Sequence, residues 1–296
     1  GVPVTDKLLT VAGEVNRPTT LLAPVGTSYG QLIEEAGGLR VSRGYSEDEL
    51  ALVEGGPMMG RMASPGGVVT KTSGGLLALP ASGPVVTQLS RDLETTIRRG
   101  RSACDQCRDC TDLCPRHLLG HELQPHTVMR AINYGMDHDP RSVTAAILCC
   151  ECRLCEAFAC PLELSPFAYY VSIKRALREQ GWRNEIHKTA DLKPHSMRDF
   201  RRVPTSRLMD RLGLAPYRGQ NAPLRTRPVQ PTEVCIPMQM HIGAPSIPVV
   251  HQGDQVKRGQ LIAAIPDGSL GAAIHASIDG VVAEVGQGFI RIERRA

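Results

Sequence analysis

The chain has 296 residues with 29 Gly, 22 Pro, only 4% aromatics and a formal net charge of +4. That length suits two or three domains rather than one large barrel, and the charge is too mild to argue for nucleic acid. No apolar run approaches the roughly 18–20 residues that cross a bilayer, so no membrane insertion is expected. No leader peptide is legible, and the chain starts at Gly1 without Met. It reads as a piece of a longer soluble, intracellular product.

In chain order, residues 1–87 read as a small α+β unit. LLTVAGEV (8–15) and NRPTTLLAPVG (16–26) are strands ending in turns. SYGQLIEEAGG (28–38) is a short helix with apolar Leu32 and Ile33, stopped by Gly37 and Gly38. ALVEGGPMMG (51–60) and GGVVTKTSGGLLALP (66–80) follow as short strands punctuated by glycine. Strands around one helix suggest a β-grasp.

Residues 88–182 read as mainly helical. Asp92 to Arg99 forms a helix with Gly100 as its stop. HELQPHTVMRAINYG (121–135) has Leu123, Val128, Ile132 and Tyr134 at helical spacing. SPFAYYVSIKRALREQG (165–181) opens on Ser165 and Pro166 and ends at Gly181. Residues 183–229 are a basic connector with eleven Lys/Arg against four Asp/Glu. It reads as a solvated surface linker, or as a docking strip for an acidic partner through Arg198, Arg201 and Arg202. Residues 230–296 are all β, with turns at Gln252-Gly253, Arg258-Gly259 and Asp279-Gly280.

Eight of the ten cysteines fall in two groups. The first is Cys104-x2-Cys107-x2-Cys110-x3-Cys114-Pro115, the bacterial ferredoxin run. The second is Cys149-x2-Cys152-x2-Cys155-x4-Cys160-Pro161, with one extra residue before its last cysteine. Three thiolates from one tight loop and a fourth farther along suit the tetrahedral corners of an iron–sulfur cubane. Zinc also takes four thiolates, but it does not need C-x2-C-x2-C with a distant C-P, twice. In two-cluster ferredoxins each fourth cysteine ligates the other cluster. One [4Fe-4S] cluster is therefore expected on Cys104, Cys107, Cys110 and Cys160. The other is expected on Cys149, Cys152, Cys155 and Cys114. Such close neighbours make an electron wire, and complete ligand sets favour electron transfer over chemistry at iron. Cys150-x-Cys152 has the wrong pitch, so Cys150 reads as a small buried residue. Cys235 reads as core of the last domain. His117, His121 and His126 read as surface or capping residues, with proton transfer or cobalt ligation as the sharper alternative.

RSACDQCRDCTDLCPRHLLGHELQPH (101–126), CECRLCEAFACPLELSP (150–166), GAAIHASIDGVV (271–282), GGPMMG (55–60) and TVAGEV (10–15) carry a resemblance. The chain resembles the family of the Rnf complex C subunit and the flavin subunit of respiratory complex I. Within that family it is most similar to the cobalamin reductases of propanediol-utilisation microcompartments. The segment ending IHASIDGVV comes last, as in those reductases, and not first, as in the Rnf protein.

The resemblance implies an α+β multidomain chain. Its parts are an SLBB β-grasp domain (1–87), a helical two-[4Fe-4S] ferredoxin-type domain (88–182), the connector (183–229) and a barrel-sandwich hybrid domain (230–296). It also implies an NADH- and FMN-binding domain in the parent protein. GGPMMG does not suit a phosphate loop, so no FMN is expected on these residues. The last domain resembles lipoyl carriers, but IPDGSLGAA (265–273) offers no Lys to modify. The implied activity is cobalamin reduction in a cytoplasmic bacterial microcompartment. Cobalamin is the implied electron acceptor, and an adenosyltransferase and a shell protein are the implied partners. The alternatives are a membrane-associated Rnf-type C subunit and a ferredoxin-like adaptor.

Overall fold

In β1 (Asp6–Gly13), Leu9 and Val11 point inward while Thr10 points away to meet the Thr20 hydroxyl at 3.0 Å. This alternation is what a strand with one buried face requires. β2 (Thr19–Pro24) pairs antiparallel with it. α1 (Tyr29–Glu35) starts where the Ser28 hydroxyl accepts from the Gln31 amide, and it buries Tyr29, Leu32 and Ile33. β3 (Leu50–Glu54), β4 (Arg61–Ala63) and β5 (Gly75–Pro80) complete a five-stranded open sheet of order β2-β1-β5-β3-β4. Only the central β1–β5 pair is parallel. This is the expected β-grasp of the SLBB type. The GGVVT stretch is not a strand, however. Val68 makes a lone bridge to Ser28, and Gly67 lies under the Tyr29 ring.

The C-terminal strands are β6 (Glu233–Pro237), β7 (Ile247–Pro248), β8 (Gln255–Val256), β9 (Leu261–Ala264), β10 (Ile274–His275), β11 (Gly280–Gly286) and β12 (Phe289–Glu293). They form a three-stranded sheet, β10-β9-β7, and a four-stranded sheet, β6-β12-β11-β8. Ile236, Ile262, Ile274, Ile290 and Ile292 fill the core. Each such side chain contributes about 1.5–3 kcal/mol when fully buried.

The structure is a computed structural model that describes residues 2–40, 44–135, 140–188 and 191–295. It divides into two compact units: Gly1–Ser82 with Gly219–Ala296, and Gly83–Arg218. The first unit joins the two ends of the chain. Val25 belongs to the C-terminal core and Val229 to the N-terminal one. Ser277 donates to the Val25 carbonyl at 2.6 Å, and Lys71 to the Ala273 carbonyl at 2.9 Å. Residues 220–229 run along β2, with Thr20 and Val229 amides donating to Pro223 and Leu22 carbonyls. Gly26 sits at this join with φ +93°, and a Cβ there would lie 2.9 Å from Ile236.

The second unit is helical: α2 (Pro84–Leu89), α3 (Leu93–Ala103), α4 (Asp109–Asp112), α5 (Pro115–Leu118), α6 (Pro125–Tyr134), α7 (Pro140–Thr144), α8 (Pro166–Glu179) and α9 (Thr205–Arg211). Asp92 caps α3 by accepting from the Thr95 amide at 2.7 Å. The expected stop at Gly100 is a correction. The helix runs through it to Ala103, and Gly100 is buried against Tyr169 and Asn133, where a Cβ would lie 2.2 Å from the Tyr169 hydroxyl. This glycine serves close packing of α3 on α6 and α8, not termination. α6 begins at Pro125 and ends at Gly135 (φ +62°), and α8 is capped by the Ser165 hydroxyl. Segment 191–218 is tied to the helices by Arg201–Asp112 (3.1 Å) and by Arg211 donating to the Cys160 carbonyl (3.2 Å). Thr189 and Ala190 of the connector lie outside the described residues.

Candidate metal centres

The two cysteine runs fold as the same loop, built twice. In the first, Gln106 and Arg108 flank Cys107 with φ of +61° and +73°. In the second, Glu151 and Arg153 flank Cys152 with φ of +59° and +62°. Left-handed backbone at a residue with a side chain costs about 1–2 kcal/mol, so four such residues at matching positions mark a constrained site. The conformation turns main-chain N–H groups toward sulfur. The Glu151 amide reaches Cys149 Sγ at 3.3 Å, and the Gln106 side-chain amide reaches Cys104 Sγ at 3.2 Å.

The unequal spacing of the last cysteines has a local cause. Between Cys110 and Cys114 the chain makes an α turn, Asp109–Asp112; between Cys155 and Cys160 it makes a wider π turn, Cys155–Ala159. The π turn absorbs the extra residue. Cys114 (φ −69°, ψ 118°) and Cys160 (φ −76°, ψ 115°) leave their turns with nearly the same backbone. Each is followed by proline, and Cys160 Sγ also accepts from the Leu164 amide at 3.3 Å.

Cys104, Cys107, Cys110 and Cys160 line one pocket, walled by Met129, Leu164 and Pro166. Cys149 packs against the core that contains Cys114. The turn Cys155–Ala159 packs on the α4 turn that carries Cys110, so the two runs adjoin. Loss of water pushes the thiols up. Cys110 reaches about 12, and Cys114, Cys149 and Cys152 each about 11. Cys155 lies well above the ordinary thiol range, and Cys107 and Cys160 are raised, again by burial first. Thiols crowded and desolvated in this way become thiolates only beside positive charge. Among the described residues no three His, Cys, Asp or Glu close on a single-ion site. The chemistry of the donor set fits a many-atom cationic cluster with N–H donors aimed at its sulfur shell.

Cys150 is half-buried rather than buried and lies beside Cys152 and Cys114. Cys235 is half-buried on β6, opposite Arg291. His126 bonds the Thr111 hydroxyl at 2.8 Å, His121 meets Arg116 at 3.1 Å, and His117 lies against His195 with ring centres 5.7 Å apart. Burial lowers the pKa of all three.

Sequence reasoning missed the support from α8. Lys174 Nζ donates to the Cys149 carbonyl at 2.8 Å and to Glu151 at 2.6 Å, fixing the second loop. Tyr170 precedes it by four residues, and that i, i+4 spacing is the signal that pairs them on one helix face.

Three domain families match: the SLBB domain at 8–61, the 4Fe-4S dicluster domain at 103–165 and the RnfC barrel sandwich hybrid domain at 217–294. The chain is 43% identical over 294 residues to cobalamin reductase PduS of Salmonella typhimurium and 42% identical to that of Citrobacter freundii. In both cases the match covers 99% of this chain and 63% of the relative's length. The C subunit of the proton-translocating ferredoxin:NAD(+) oxidoreductase complex of Clostridium ljungdahlii is 48% identical over 66 residues, 22% of this chain and 14% of that protein. The chain thus resembles the PduS-type cobalamin reductases from end to end and Rnf-type C subunits in part. Among the described residues no helix is long and apolar enough to cross a membrane.

Proposed function

We propose, from likeness to PduS-type cobalamin reductases along 99% of the chain, that these residues are the electron-conducting part of such an enzyme. One [4Fe-4S] cluster is held by Cys104, Cys107, Cys110 and Cys160, the other by Cys149, Cys152, Cys155 and Cys114. The observation that carries this reading is the pocket in which Cys160, from the second run, joins three cysteines of the first. When bound, the clusters supply one-electron steps, which suit a corrinoid cobalt reduced singly from a hydride donor. The chain's own contribution is to hold the two sets side by side, keep water from the buried thiols and present N–H groups to sulfur.

In the parent protein, NADH and FMN lie outside these residues and cobalamin is the electron acceptor. An adenosyltransferase and a microcompartment shell protein are its partners, in a cytoplasmic microcompartment. The domain division 1–87, 88–182, 183–229 and 230–296 belongs to the same proposal. An Rnf-type C subunit is the weaker reading, because that likeness is confined to part of the chain.

Anaerobically purified or reconstituted protein is expected to hold about eight irons with matching acid-labile sulfide. Cys107→Ser or Cys152→Ser lowers iron, whereas Cys150→Ser leaves it unchanged. If Cys150→Ser removes a cluster, the ligand register of the second run is wrong. Zinc without labile sulfide ends the cluster reading. Failure of the chemically reduced, iron-loaded protein to reduce cob(II)alamin ends the corrinoid reading.

A further inference from the structure

Tyr170 is 1% exposed, in the core of the helical unit with Cys114. Its hydroxyl is buried and has no hydrogen-bond partner among the described residues. The neighbouring Tyr169 shows the usual solution, donating to Asn133 Oδ1 at 2.7 Å. A buried hydroxyl left unpaired is costly, and such groups are rare unless a partner is missing. Cys114 lies in the same core, and Cys104, Cys149 and Cys160 pack against it, so cysteines of both quartets border the core that holds Tyr170. Tyr170 therefore sits in the core that the two sets share, on the α8 helix that also fixes the second loop through Lys174.

We propose that Tyr170 is a potential-setting residue whose hydroxyl donates a hydrogen bond to the sulfur shell of a cluster at the junction of the two cysteine quartets. This rests on the cluster reading above. A tyrosine hydroxyl ordinarily loses its proton only near pH ~10, so it can donate throughout the ordinary pH range. A reduced cluster carries one more negative charge than an oxidised one. A donor to its sulfur therefore favours the reduced form and raises its potential. Placed between the two sites, Tyr170 sets the difference between their potentials, and so the direction in which the pair passes an electron.

The test is an anaerobic, EPR-monitored redox titration of the iron-loaded chain carrying Tyr170→Phe, beside a chain with 3-fluorotyrosine at position 170. Tyr170→Phe is expected to keep its iron and sulfide and to make one cluster about tenfold harder to reduce, ~59 mV more negative for one electron. The fluorinated ring is a more acidic donor and shifts the same cluster in the opposite direction. A side chain that only fills space does not produce that reversal of sign. Intact clusters whose potentials do not move, or move the same way in both variants, overturn the proposal. If Tyr170→Phe loses iron, the fluorinated chain decides alone. Wild-type protein without labile sulfide would sink the cluster reading itself, which is a separate outcome.

Discussion

The sheet unit closes on two largely aliphatic cores, whereas the core of the helical unit includes and borders the cysteines. In the first, Leu9, Val11, Leu32 and Leu76 pack under the β-grasp sheet, and six isoleucines pack in the core of the C-terminal sheets. In the second, Cys114 is in the core itself, with Cys104, Cys149 and Cys160 packed against it. Several of its helices are a single turn long: α4, α5 and α7 have four, four and five residues. Helices that short are not stable by themselves. The difference teaches that one unit is held by burial of hydrocarbon, while the other needs something at its cysteines to repay the cost of its loops.

The largest expected effect follows from removing that something. Chelation of iron is expected to abolish hydrogen-exchange protection in α4, α5 and the second cysteine loop, and to leave β1, β5, β11 and β12 protected. Loss of protection in both units together would break the comparison. Next in size, Ile290→Ala in the C-terminal core should cost about 2–5 kcal/mol in denaturant unfolding of the sheet unit, because it leaves a cavity. Iron content should stay the same, which sharpens the separation from the other side.

Gly100→Ala is expected to destabilise the helical unit by about 1–3 kcal/mol, since the new methyl has no room beside the Tyr169 hydroxyl. Adding Tyr169→Phe to it should recover part of the loss in thermal melts, and no recovery would mean that the clash lies with Asn133 instead.

The smallest effect concerns pH. His275, on β10, has its pKa lowered by burial and then by Lys71, and its Nδ1 has no partner among the described residues. The unfolded chain therefore binds the proton more readily than the folded one. Stability of the sheet unit is expected to fall as pH drops below 6.5, the ordinary histidine value, toward the lower folded one. His275→Gln should flatten that slope, and an unchanged slope would place the proton uptake elsewhere.

Local signals carried much of the fold. Ser165 with Pro166 opened α8, Asp92 opened α3, and the alternation in LLTVAGEV set β1, because caps and periodicity act within a few residues. Gly100 misled, since a glycine reads as a stop unless the ring it packs under is known. Cys150 misled in a smaller way, its neighbours being set by a turn and not by its own apolarity. The π turn at Cys155–Ala159 left only a trace, one extra residue before Cys160.

The sequence by itself determined which chemistry the cysteines suit, because ligand type and loop pitch are written in residue identity and spacing. It also determined the kinds of element, because periodicity and capping are local. Only the tertiary structure decided that the chain's two ends share one unit, that four residues beside Cys107 and Cys152 take left-handed backbone, and that Tyr170 carries a hydroxyl without a partner among the described residues, in a core bordered by cysteines of both runs. These depend on contacts between residues far apart in sequence, where no local preference of the chain reaches.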